Sequence, residues 1–93
     1  MEPEILVQAV DGTRFEVTVR EGRSETRHIV NVEPDYARAL VHGKRTVEEL
    51  VRLSFEFLLE NEPKESILRK FDLREIGRYF PGYEQEIRGR LRG

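Results

Sequence analysis

The stretch ILVQAVDGTRFEVTV, residues 5–19, decides the fold. Ile5, Val7 and Ala9 alternate on one face of a first strand, and Phe15, Val17 and Val19 on one face of a second. Period-two alternation on either side of Asp11-Gly12 predicts a β-hairpin. The pattern also chooses a register. A two-residue Asp-Gly loop sets Val7 against Glu16 and mixes the faces. A three-residue loop, Val10-Asp11-Gly12, pairs Ala9 with Thr13, Val7 with Phe15 and Ile5 with Val17, and gathers six apolar side chains on one side. That register gives Gly12 the left-handed bulge position and a positive φ.

Outward from the hairpin, REGRSE (20–25) reads as a turn and Thr26–Val32 as a third strand. Thr26, His28, Val30 and Val32 share its inner face, with Ile29 opposite. The sum is a three-stranded antiparallel meander over residues 1–33 with one mainly apolar side. Residues 34–93 read as helical. Pro34 suits a first helical position and Gly43 a helix end, so a short helix is expected from Pro34 to His42. His42 then lies beside the last carbonyls of that helix and favours its dipole.

Thr46-Val47-Glu48-Glu49 has capping-box spacing and opens the main helix, Val47 to Asn61, which Pro63 stops. At 100° per residue its apolar side chains cover roughly 240°, against the ~100° of a helix packed on one side. A three-stranded sheet cannot cover such an arc. The flank holding Leu53 and Phe57 must meet the C-terminal helices, a second copy or a different protein.

PKESILRKF (63–71) reads as a short helix carrying Ile67, Leu68 and Phe71. Asp72-Leu73-Arg74-Glu75 repeats the capping spacing and starts a helix to Phe80, broken by Pro81-Gly82. Tyr83, Ile87 and Leu91 at four-residue spacing mark a last amphipathic helix. Phe71, Ile76 and Phe80 are expected to cover part of the Leu53–Phe57 flank within one chain. Tyr79 and Tyr83, at the Pro81-Gly82 corner, are expected to stay partly exposed. The fold class is thus α+β, a single domain of 93 residues, the meander packed on a long central helix and closed by short C-terminal helices.

Composition narrows the function. With no cysteine, disulfides, thiolate metal sites and thiol nucleophiles are excluded. His28 and His42 are lone histidines without carboxylates at ligand spacing, so no metal or other cofactor is expected, and His28 reads as a satisfied core histidine. The residues form no P-loop, dinucleotide glycine pattern or nucleophile elbow. The start shows no basic, apolar leader, and the expected compartment is the cytoplasm. Net charge is −2, unevenly spread: residues 46–63 carry one basic and five acidic groups, residues 64–93 eight basic and five acidic. One half can therefore attract the other, or a partner's opposite half.

The segment LREIGRYFPGYEQEIRGRL (73–91) resembles the helix-turn-helix of the promoter-recognition domain of bacterial sigma factors. Leu73, Glu75, Ile76, Gly77, Arg78, Phe80, Ile87 and Arg88 fall on that motif. The resemblance implies a second helix that enters the major groove, with Glu84, Gln85 and Arg88 facing bases and Arg90 and Arg92 near phosphates. The longer stretch 57–84 resembles small, uncharacterised bacterial proteins with an N-terminal strand region. Read from the residues alone, the same tail is a helical hairpin over the open flank of the main helix. The expected role is a small non-enzymatic protein-interaction or regulatory module, homodimeric, with Leu53, Phe57, Tyr79 and Tyr83 at the partner interface. The alternative is a DNA-binding regulator that uses the last two helices.

Overall fold

A computed structural model describes residues 2–41, 43 and 45–92. In chain order the elements are β1 (Glu4–Ala9), β2 (Arg14–Glu21), β3 (Ser24–Asn31), α1 (Pro34–Leu40), α2 (Val47–Asn61), β4 (Lys70–Asp72), α3 (Ile76–Tyr79) and α4 (Tyr83–Arg92). Single 3-10 turns, Lys64–Ser66 and Leu73–Glu75, precede β4 and α3. The chain is α+β, with a four-stranded mixed sheet in the order β1-β2-β3-β4.

The strands β1, β2 and β3 form the expected meander, but the first register differs. Ile5 pairs with Val19, Val7 with Val17 and Ala9 with Phe15, two residues away from the bulged register. A two-residue slip keeps every side chain on its face, so the apolar row survives. The loop is set by Asp11 rather than by Gly12. The Asp11 carboxylate accepts hydrogen bonds from the Thr13 and Arg14 N–H groups, both at 3.0 Å, and pairs with the Arg14 guanidinium at 2.7 Å. An aspartate that closes its own turn in this way makes a left-handed glycine unnecessary. Positive φ falls instead on Gly22, at +63°, in the two-residue β2–β3 loop, and on Gly43 at +67°.

The fourth strand corrects the helical reading of residues 63–71. Beyond the Lys64–Ser66 turn the backbone extends and pairs parallel with β3, setting Ile29 against Lys70, Val30 against Phe71 and Asn31 against Asp72. Phe71 thereby joins the buried Phe15 and Val30 in one row, whose outer end at Ala9 is exposed. Asn31 Nδ2 donates to Asp72 at 2.9 Å, closing the far end of the pair.

Helix α2 is the axis of the core. Thr46 and Glu49 form the expected capping box: the Thr46 hydroxyl accepts from the Glu49 N–H and the Glu49 carboxylate accepts from the Thr46 N–H. Leu50, Val51, Phe55 and Leu58 are buried, and full burial of each such side chain stabilises by about 1.5–3 kcal/mol. Phe55 reaches the sheet, 5.3 Å from the His28 ring and 6.0 Å from Phe71. The opposite flank of α2 packs on α4, whose Tyr83, Ile87 and Leu91 are buried as their spacing predicts. The wide apolar arc is thus shared between the sheet and α4. Helix α1 ends at Leu40, and His42, expected to close it, lies outside the described residues. Among the described residues no helix is long and apolar enough to cross a membrane.

Candidate functional site

Between the end of α2, the segment 66–71 and α3 lies a groove of about 270 Å³. Its buried floor is Leu58, Ile67, Phe71 and Ile76. Leu68 and Tyr79 stand on its rim, 49% and 66% exposed, beside a half-buried Phe80. The volume lies near the lower end of small-ligand pockets, roughly 300–1,000 Å³.

Each wall has a local cause. Asp72 caps the Leu73–Glu75 turn by accepting from the Arg74 N–H at 3.2 Å, while Glu75 accepts from the Asp72 N–H at 2.7 Å. The cap turns the chain sharply out of β4 into α3. The wall at Leu68 is held by His28. The Leu68 carbonyl can only accept, so His28 Nδ1 carries the proton and donates at 2.8 Å. Nε2 then accepts from the Thr26 hydroxyl at 2.9 Å. His28 is fully buried and satisfied, the role its inward position predicts. Burial, assisted by the nearby Arg69 charge, holds its pKa below the ordinary histidine value against the opposing Leu68 bond.

Two carboxylates line the groove. Glu75 is engaged in the cap. Glu62, the residue that ends α2, spends its backbone N–H on the Leu58 carbonyl at 2.9 Å, and its side chain has no ion pair among the described residues. Partial burial raises its pKa above the usual glutamate range. On its other side Glu62 borders a polar cleft of about 430 Å³ holding Glu2, Glu21, Glu56 and Glu60 against Arg52 and Lys64. The Lys64 side chain is only 3% exposed, its ammonium 2.7 Å from Glu65 and 3.5 Å from Glu21. No group of three or more histidines, aspartates or glutamates among the described residues could hold a metal ion.

The four residues expected at a partner interface part company. Tyr79 is the most exposed large hydrophobic side chain described. Leu53 and Phe57 are half-buried against the core. Phe57 lies edge-on to Phe80 at 5.8 Å, 5.5 Å from Tyr83, with the Arg90 guanidinium 5.9 Å above its ring. Tyr83 corrects the expectation of partial exposure. It is fully buried, its hydroxyl 2.6 Å from that of Ser54, which in turn donates to the Leu50 carbonyl at 2.7 Å. Ser54 was the available signal, a small polar residue inside the apolar arc of α2. The groove itself, with Leu68, Phe80 and Glu62, was missed because residues 63–71 read as helix.

The residues implied to contact DNA are spread over different environments. Glu84 accepts from the Tyr36 hydroxyl at 2.8 Å. Arg90 is held between Glu60 at 2.6 Å and Glu86 at 3.0 Å. Gln85, Arg88 and Arg92 lie exposed on α4. The preceding helix α3 is four residues long, extended at its start by the 3-10 turn. No family model, curated protein or solved structure matches the chain.

Proposed function

We propose that this chain is a non-enzymatic protein-interaction or regulatory module that docks through the groove at α3. The observation that carries the reading is the placement of Leu68 and Tyr79. Among the described residues, both large exposed apolar side chains outside β1 and the adjoining loop border one groove with an apolar floor. A contiguous apolar patch with a charged rim is the usual form of a docking surface, whereas apolar side chains exposed singly are ordinary.

The test is site-specific photo-cross-linking in cells, with a photoreactive residue at position 79 and, as control, at Arg27 on the outer sheet face. Discrete adducts at 79 and none at 27 are expected. Equal labelling at both positions, or none at 79, sinks the reading.

The alternative, a DNA-binding regulator, draws support from Gln85, Arg88 and Arg92 along the open side of α4. It requires affinity that falls steeply with salt and an Arg88→Ala loss of about 1–3 kcal/mol on a preferred site. The engagement of Arg90 and Glu84 within the chain leaves few groups for that task, so the docking module is preferred.

A further inference from the structure

We propose that the occupant of the groove is a second copy of this chain, related by a twofold axis. Tyr79 of each copy enters the groove of the other, and Arg78 of each pairs with the other's Glu62. This rests on the reading of the groove as a docking surface and names what docks there.

The groove asks for two things at once. Its floor of Leu58, Ile67, Phe71 and Ile76 asks for a bulky apolar side chain. Glu62, partly desolvated and without an ion pair among the described residues, asks for a cation beside it. The acidic groups of the adjoining cleft add to the same field.

The rim of the same groove presents that combination. Tyr79 is 66% exposed and follows Arg78, an exposed arginine outside the ion pairs of the described residues. On the other lip Leu68 precedes Arg69, also exposed. One patch therefore holds both the knob and the hole, the condition for an isologous interface, in which each contact is made twice. The charge distribution agrees: the region 46–63, ending near Glu62, is acidic, and the region 64–93, holding Arg78, is basic. Across the axis the acidic wall of one copy meets the basic lip of the other.

Other faces serve self-association less well. The apolar residues of α4 point inward, and on the outer sheet face Arg20 and Arg27 are matched by Glu4 and Glu25. Among the described residues, the groove joins its apolar floor and the exposed Leu68 and Tyr79 to charges of both signs without ion pairs.

The experiment is sedimentation velocity on the full chain across the micromolar to submillimolar range, with thermal melts as a check of folding. The wild type is expected to show a concentration-dependent monomer–dimer equilibrium. Tyr79→Ser, Glu62→Arg and Arg78→Glu should each weaken it about tenfold or more. An equimolar mixture of the Glu62→Arg and Arg78→Glu proteins should dimerise again, because the mixed pair restores both cross-copy ion pairs. A lesion confined to one folded chain would not be rescued by mixing.

A wild type that stays monomeric overturns the proposal, as does a dimer indifferent to these substitutions or a mixture without rescue. If the wild type is monomeric but position 79 still cross-links to another protein, the second copy is the wrong occupant and the docking reading stands. If it is monomeric and position 79 gives no adduct, both fall.

Discussion

The outer face of the sheet and the corner at α3 are both surface, yet they are finished differently. On the sheet Arg20 lies 3.7 Å from Glu4 and 2.8 Å from Glu25, and Arg27 is 3.2 Å from Glu25. These four charges are paired with one another, and Leu6, the exposed large apolar residue of β1, stands singly. At the corner, Tyr79 and Leu68 flank a groove while Arg78, Arg69 and Glu62 have no ion pair among the described residues. Exposed ion pairs contribute only about 0–1 kcal/mol each, so the difference is not one of stability. It shows which surface has its interactions completed at home and which holds them open.

The strongest way to break that contrast uses two tyrosines four residues apart, on either side of Pro81-Gly82. Tyr83→Ala empties a buried site and deprives the buried Ser54 hydroxyl of its tyrosine partner, so a loss of about 3–5 kcal/mol is expected in denaturant unfolding. Tyr79→Ala should change stability by less than about 0.5 kcal/mol. A comparable loss from both would mean that Tyr79 is structural, and the corner would cease to be an open surface.

The next test asks how the corner is fastened to the sheet. His28 is buried neutral, and its folded-state pKa is depressed, first by burial. Below the unfolded pKa of about 6.5 the unfolded chain takes up a proton that the folded chain resists. The stability associated with His28 is therefore complete above about pH 6.5 and falls as pH drops toward 5. Carboxylates held low by arginines, such as Glu25 and Glu60, are lost only in more acidic solution. Melting temperature should decline between pH 7 and 5 in the wild type, and less in His28→Gln. Parallel declines would show that another group controls this window.

The smallest expected effects separate the two hairpin loops. Gly22→Ala forces an alanine to φ +63° and should cost about 1 kcal/mol. Gly12 is not in the left-handed region and has open space around its Cβ position. Gly12→Ala should then be neutral or stabilise by up to about 1 kcal/mol through the unfolded chain. Chemical denaturation of the pair settles the matter; equal losses would return Gly12 to a bulge.

What could be read from the residues follows the range of the forces involved. The capping boxes at Thr46 and Asp72 and the Tyr83, Ile87, Leu91 stripe are local, and they stand where their spacing puts them. Which face each strand turns inward was legible because period two survives a slip of two residues. The register was not, because a carboxylate rather than a glycine shaped the loop. Strand β4 escaped because its three residues, Lys70-Phe71-Asp72, carry little strand signal of their own. What extends them is β3, which no local pattern reveals. The candidate site was half legible: Tyr79 stood out as exposed, while Glu62 and Leu68 depended on that strand.

The parallel pairing of β3 and β4 also orders events in time. Asn31 and Asp72, which close it, are separated by 41 positions in the chain. Ring closure over such a distance is slow and entropically costly, whereas the β1–β2 and β2–β3 hairpins need only short loops. The meander can assemble from residues 4–31 alone, but the Ile29–Asn31 edge of β3 stays bare until residues 70–72 are free to pair with it. Through that interval the nascent chain carries an unsatisfied ladder, and the last third of the protein acts as the shield for the first.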